Sequence, residues 1–147
     1  MVEMKRILFL TDFSPEAESA LQYARELAAK FNGQLSVLHV IVDPTSKLYE
    51  MESGDYHAQD ANARQKAQEW LARIHREQLG NSPNCETLIE RGELFDHVLR
   101  VVQEKHIDVV ALSAHTHPGF HLHLISNLPE KLVRKVPCHV FVIHNAG

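Results

Sequence analysis

The sequence predicts one α/β domain spanning residues 1–147, in which helices cover both faces of a parallel sheet to give three layers. Short continuous apolar runs, typical of strands buried on both faces, alternate with longer segments whose apolar residues recur at helical spacing. These segments follow one another as β-α-β-(loop)-α-β-α-β-α-β, the order expected of a doubly wound parallel sheet. The chain contains no internal repeat that would favour a solenoid or propeller.

The first part of the chain supplies two strands and the best-defined helix. The apolar runs at 6–10 and 34–42 are predicted to be buried strands. Ser14 is placed to cap the intervening helix, Pro15 suits its first position, and Asn32-Gly33 ends it. The apolar residues on one face of this helix are Ala20, Leu21, Ala24, Leu27, Ala28 and Phe31.

The remaining elements follow a stretch without periodicity. Residues 43–58 are predicted to form a long loop. A second helical stripe then consists of Ala63, Ala67, Trp70, Leu71 and Ile74, with Trp70 on the apolar side. The later elements are a polar strand near a sheet edge (85–92), a helix marked by apolar residues from Leu94 to Val102, a strand (107–112), a helix (127–136) and a last strand (139–143).

Composition excludes several classes of protein. Apolar residues make up 44% of the chain and charged residues 23%, which is typical of a globular protein. The formal charge of −4 gives no electrostatic reason to expect nucleic acid or an anionic membrane as partner. The opening apolar run is too short for a signal sequence or a membrane span. Cys85 and Cys138 match no zinc or redox motif, so we expect a cytoplasmic protein with reduced, mostly buried thiols.

Five stretches, taken in order, resemble the universal stress protein family. They are ILFLTDFSPEAESALQYA (7–24), LSVLHVIVDP (35–44), ERGELFDHVLRVV (90–102), IDVVALSAHT (107–116) and LPEKLVRKVPCHVFVIH (128–144). The resemblance implies an adenine nucleotide alpha hydrolase-like fold, a five-stranded parallel sheet of order 3-2-1-4-5. It also implies a homodimer paired through the last strand. The apolar residues Val140, Phe141, Val142 and Ile143 favour this interface independently, since an open edge of this kind invites association.

Some members of this family bind ATP through a glycine motif between the fourth strand and the fourth helix. The motif is Gly-x-x-Gly, nine residues, then Gly-Ser or Gly-Thr, and its positions here are Ser113, Thr116, Ser126 and Asn127. All three glycines are therefore replaced, and the β-branched Thr116 makes a positive φ costly. Pro129 also removes an N–H group from the first turn of the helix. The sequence therefore predicts that the connection between the fourth strand and the fourth helix no longer binds phosphate as the glycine motif does.

The nucleoside half of the pocket is better preserved. The resemblance places Asp12 at the position that contacts the nucleoside, with Leu10, Val40 and Leu112 as its apolar lining. Asp12 could equally serve as a local cap or turn residue. ATP or another adenine nucleotide is therefore a possible ligand, and no cofactor is required.

The chain has eleven histidines, and four of them lie between the fourth strand and the fourth helix. His115 occupies a position where the family often has histidine. If 120–126 is helical, His121 and His123 point apart, whereas in a loop one of them could converge with His115 and His117 on a metal ion. We expect no metal site here and interpret these residues as solvated loop histidines. A pH-responsive loop is the third interpretation, since imidazoles titrate near neutral pH.

We therefore expect a cytoplasmic stress-response homodimer that acts on an unidentified protein partner and binds ATP weakly or not at all. The alternative is an adenine-nucleotide-binding module, and the lesser alternative is metal binding by the histidine-rich segment 115–123. We expect no enzyme and no catalytic residues. Ser14 and Ser19 lack a nucleophile motif, and Asp12 and Glu93 form no recognisable acid–base pair.

Overall fold

A five-stranded parallel sheet forms the centre of the molecule, with strand order β3-β2-β1-β4-β5. The computed structural model describes residues 4–42, 56–80, 84–115, 122, 125 and 127–144. The elements are β1 (Arg6–Leu10), α1 (Pro15–Lys30), β2 (Gln34–Val42), α2 (Tyr56–Ile74), a π-helical turn (His75–Leu79), β3 (Cys85–Gly92), α3 (Leu94–Glu104), β4 (Val109–Ser113), α4 (Leu128–Lys135) and β5 (His139–Ile143). The predicted fold class and strand order are confirmed.

Both faces of the sheet are buried, which explains the continuous apolar runs of its central strands. Along β1, Leu8 and Leu10 belong to one apolar cluster, while Ile7 and Phe9 belong to the other. Neighbouring residues of a strand point to opposite faces, so every residue of such a strand has to be apolar. The cluster on the first face includes Leu38, Val40, Leu94, Phe95, Val98, Leu112, Leu128 and Leu132. The cluster on the second face includes Ala20, Leu21, Ala24, Val37, Ala67, Leu71 and Ile74.

Helix α1 begins and ends at the predicted signals. The Ser14 hydroxyl accepts a hydrogen bond from the Ala17 N–H at 3.2 Å, and Pro15 follows in the first turn. Asn32 has a left-handed backbone with φ of 50°, and Gly33 follows it. A Cβ at Gly33 would overlap the carbonyl group of Lys5, so only glycine allows this close approach between the start of β2 and the start of β1.

Helix α2 differs from its prediction in three respects. It begins at Tyr56, inside the segment predicted as loop, whose residues 43–55 lie outside the described part of the chain. It continues beyond Ile74 as a π-helical turn. Trp70 is 36% exposed instead of facing the core. Ala67, Leu71 and Ile74 define the buried line of this helix, and Trp70 lies at its margin.

The two edges of the sheet have opposite character. Strand β3 forms one edge and is only partly buried, as its polar sequence predicts. Strand β5 forms the other edge and carries Phe141, which is 40% exposed. Cys85 and Cys138 are partly buried against the two core clusters, and neither forms a disulfide. Among the helices in the described ranges, none is long and apolar enough to cross a membrane.

Candidate functional site

The candidate site lies beyond the carboxyl ends of β1, β2 and β4. Strand β1 lies between β2 and β4. The chain runs from β1 to β2 and β3 on one side of the sheet, and β4 and β5 lie on the other side of β1. In open α/β sheets this reversal of strand order leaves a crevice that commonly binds ligands. The segment Thr11–Ser14 enters this crevice from β1, and Ser113 enters it from β4.

Asp12 is buried at the floor of the crevice, with 4% of its surface exposed. One carboxylate oxygen, Oδ1, accepts the N–H of Ser14 at 3.0 Å, which closes a turn ahead of α1. The other oxygen, Oδ2, accepts the N–H of Leu122 at 3.3 Å, from the connection between β4 and α4. The carboxylate therefore has the turn role considered from the sequence and, in addition, anchors a segment 110 residues away.

The residues expected to line a nucleoside pocket are packed inside the protein. Leu10, Val40 and Leu112 are all buried, and they belong to the same apolar cluster as Leu122 and Ile125. The described residues of the β4–α4 connection thus contribute side chains to the core beside the predicted lining. Leu10, Val40 and Leu112 lie in one buried cluster and Asp12 is buried as well, and their role in lining a nucleoside pocket stays a prediction.

Phe13, the residue after Asp12, packs against two other aromatic rings. Phe13 has a left-handed backbone with φ of 64°, and its N–H donates to the Thr11 hydroxyl at 3.0 Å. Its ring packs on His39, with ring centres 4.4 Å apart, and stacks on Trp70 at 5.7 Å. Arg73 in turn lies over the Trp70 ring, 4.5 Å from its centre. Sequence reasoning missed this contact because Phe13 and Trp70 belong to elements far apart in the chain.

Burial of the His39 imidazole favours its neutral form. Burial lowers its pKa below the ordinary value, although its hydrogen bond to Thr11 and the charge of Asp12 both act in the opposite direction. The Nδ1–H group donates to the Thr11 carbonyl oxygen at 2.9 Å, which fixes the tautomer. His39 therefore supports the backbone of the β1–α1 turn from β2, next to the carboxylate of the site.

The glycine-motif positions that the family resemblance implies are only partly described. The Ser113 hydroxyl donates to the His115 carbonyl at 2.8 Å and accepts the His115 N–H at 3.3 Å, so it makes a local turn. Asn127 precedes α4 in a left-handed conformation with φ of 56°, and its side chain caps no N–H group. Pro129 lies in the first turn, as predicted. Thr116 and Ser126 lie outside the described residues.

One histidine of the predicted cluster is described, and it has a partner that sequence reasoning missed. His115 follows β4 and is exposed, and its ring lies edge-on to that of His144, with centres 5.7 Å apart. His144 follows β5, which pairs with β4 in parallel. A histidine directly after each of two strands predicted to be neighbours was therefore the sequence feature that could have indicated this contact. His117, His121 and His123 lie outside the described residues. Within the described part of the chain, no three His, Cys, Asp or Glu residues converge as metal ligands.

The predicted dimer strand has one side chain that differs from expectation. Phe141 is exposed, and Val140 and Val142 are half-buried against the core. Ile143, in contrast, is buried within the protomer, in the cluster under α1 and α2, and is not available to a partner's side chains. Strand alternation places Ile143 and Phe141 on the same face, but the core extends only as far as Ile143.

These features define a parallel α/β domain whose candidate site lies at the carboxyl ends of β1, β2 and β4. The universal stress protein family matches residues 3–144, and the chain belongs to that family. Universal stress protein C of Escherichia coli is 27% identical over 115 residues, which are 78% of each chain. A relative from Staphylococcus haemolyticus is 25% identical over 97% of this chain and 86% of its own length.

Solved structures share the fold. The universal stress protein UspA from Lactobacillus plantarum has a TM-score of 0.72 and 24% identity, covering 97% of this chain and 99% of that one. A universal stress protein solved in complex with cAMP has a TM-score of 0.65 and 15% identity over 97% and 98% of the two chains. A family protein from Arabidopsis thaliana, solved with AMP bound, has a TM-score of 0.66 and 14% identity over 97% and 93%.

Proposed function

We propose that this universal stress protein is a cytoplasmic homodimer that acts through contacts with a protein partner and binds adenine nucleotides weakly or not at all. One observation carries the proposal: both carboxylate oxygens of Asp12 accept N–H groups of the chain itself, from Ser14 and Leu122. A nucleoside that used this carboxylate would have to share it with both N–H groups, at a position where only 4% of the Asp12 surface is exposed. The residue that the family resemblance assigns to the nucleoside is thus already engaged.

The apolar lining supports the same conclusion. Leu10, Val40 and Leu112 form one buried cluster with Leu122 and Ile125, so a base or ribose would have to enter space next to packed side chains. Protein interiors are close-packed, and opening such a contact costs free energy before any ligand contact is gained. The packing of Leu122 and Ile125 in this cluster therefore argues against an open nucleoside half of the site.

The phosphate half offers little compensation. The three glycine positions of the family motif are Ser113, Thr116 and Ser126, and no lysine or arginine occurs between Ser113 and Glu130. Charge-assisted contacts to phosphate contribute about 1.5–3 kcal/mol each. Without three of them, affinity for a triphosphate falls by about three orders of magnitude or more.

The edge strand β5 supports a homodimer. Phe141 is exposed on this edge, and Val133, on the neighbouring helix α4, is 60% exposed. An unpaired edge with exposed apolar side chains is a template for association, and a two-fold axis would pair two β5 strands antiparallel. The interface would use the side chains of Phe141 and, at its flank, Val140 and Val142, together with the backbone of β5.

A non-enzymatic role is consistent with the carboxylates in the crevice region. Asp12 is engaged as described, and the Glu93 carboxylate accepts the N–H of Asp96 at 2.8 Å as the cap of α3. Each carboxylate therefore has a structural role at the start of a helix. We assign neither of them to acid–base chemistry.

The second candidate is an adenine-nucleotide-responsive module. It is favoured by the solved family members with cAMP and with AMP bound, which share this fold. In that case the β4–α4 connection would withdraw from Asp12 when the ligand binds. The alternative predicts that phosphate adds affinity, whereas the proposal predicts that it does not.

Isothermal titration calorimetry with adenosine and with ATP–Mg²⁺ separates the two candidates. We expect adenosine and ATP to bind with similar dissociation constants, both weaker than about 1 mM. A family member with an intact glycine motif, titrated in the same buffer, serves as the positive control. Micromolar affinity for ATP with much weaker adenosine binding would refute the proposal and show that the protein binds the phosphate groups.

A further inference from the structure

The pair of histidines at the ends of β4 and β5 has no role in the function proposed above. We propose that His115 and His144 together bind a divalent transition-metal ion of the zinc, nickel and copper class. The two residues belong to neighbouring parallel strands, and both are exposed at the carboxyl edge of the sheet. The site does not depend on His117, His121 or His123.

The backbone beneath this pair is held in register. Ser113 pairs with Ile143 at the end of the β4–β5 ladder, and the Ala114 N–H donates to the Ile143 carbonyl oxygen at 2.7 Å. The two hydrogen bonds of the Ser113 hydroxyl to the main chain of His115 fix the next residue as well. The two side chains therefore project from backbone positions that the sheet defines.

The separation of the rings suits a shared ion. Zinc–nitrogen bonds are about 2.0–2.1 Å long, so each ring centre lies roughly 3.2 Å from the metal, and two rings in a tetrahedral set lie roughly 5 Å apart. The observed separation of 5.7 Å, with the planes at 77°, is close to this value, and rotation of the side chains would direct one nitrogen of each ring at a shared ion. Exposed imidazoles rotate readily, so the pair can close on an ion.

The chemistry of the donors selects the class of metal. Imidazole nitrogen suits zinc, nickel and copper, whereas magnesium and calcium prefer oxygen ligands. Two imidazoles leave the remaining coordination positions to water, and the exposure of both rings allows this. An ion bound here would connect the end of edge strand β5 to β4 and so stabilise the folded state through mass action.

The test uses untagged protein in which His117, His121 and His123 are changed to Ala, so that the pair is studied without its neighbours in sequence. Isothermal titration calorimetry with zinc chloride and thermal unfolding with and without zinc are measured on this background. We expect saturable binding of one ion per chain and a higher melting temperature. Adding His144→Ala or His115→Ala should abolish both effects.

His139→Ala is the matched control, because His139 is an exposed histidine at the opposite end of the same strand. This variant should bind zinc like its parent. Far-ultraviolet circular dichroism establishes that each variant is folded, and nickel-induced broadening of the ring resonances identifies the bound histidines independently. Loss of zinc binding on the triple background, unchanged binding after His144→Ala, or broadening confined to other histidines would each overturn the proposal.

Discussion

Replacing Asp12 by Ala tests the contact on which the proposed function rests. The substitution removes both acceptors of a buried carboxylate and leaves the N–H groups of Ser14 and Leu122 without them. An unsatisfied buried donor costs about 1–3 kcal/mol. The longer bond, 3.3 Å to Leu122, contributes at the low end of that range. We therefore expect Asp12→Ala to lower the free energy of unfolding by about 3 kcal/mol.

Urea denaturation followed by circular dichroism measures this change, and hydrogen exchange localises it. The Leu122 amide should be protected in the parent protein and exchange faster in Asp12→Ala, because its acceptor is gone. Asp12→Asn keeps one acceptor oxygen and should lose less stability. Asp96→Ala, at an exposed position in the first turn of α3, is the control and should cost less than about 1 kcal/mol. A cost below 1 kcal/mol for Asp12→Ala, with unchanged Leu122 protection, would refute the reasoning.

Three further predictions concern other parts of the molecule. Because burial lowers the pKa of His39 below its ordinary value of 6.5, unfolding takes up a proton, so stability should fall as pH drops through 6.5 towards the lower folded pKa. Urea denaturation at pH 7.5 and 5.5 should show a smaller loss for His39→Gln than for the parent, and an equal loss would exclude this residue as the cause. We expect the parent to sediment as a dimer and Phe141→Lys as a monomer; a variant that remains dimeric places the interface elsewhere. Leu132→Ala, at a fully buried position of α4, should cost about 2–5 kcal/mol in urea denaturation, whereas Val133→Ala beside it should change stability by less than about 0.5 kcal/mol, and equal effects would mean that this face of α4 is misassigned.

The strands and the capped helix could be predicted from the sequence because local rules and burial agree there. The bounds of β1 and β2 match the apolar runs at 6–10 and 34–42, since both faces of these strands are covered. The prediction that Trp70 faces the core was wrong. A helical stripe identifies the apolar face of a helix, but it does not show how much of that face the neighbouring elements cover.

The contacts of the site were harder to predict because they join residues that are distant in the chain. The partner of Asp12, Leu122, is 110 residues away and contributes a backbone N–H group, which any residue except proline could supply. No residue type at position 122 therefore signals the bond. The pairing of His115 with His144 depends on strand order, which follows from topology rather than from spacing.

The missing glycines implied by the family resemblance and the packing around Asp12 lead to the same expectation for a ligand. In the proposed function, a nucleoside that reaches Asp12 displaces Leu122 from the apolar cluster. Exposing one buried leucine costs about 1.5–3 kcal/mol, so the open crevice is populated at roughly a tenth to a hundredth of the closed one. The apparent affinity falls by that fraction, in addition to the missing phosphate contacts. A family member with an intact glycine motif could offset such a cost with phosphate contacts, whereas this chain has no lysine or arginine between Ser113 and Glu130 with which to do so. We therefore expect a partner protein to bind the molecule while this crevice is closed.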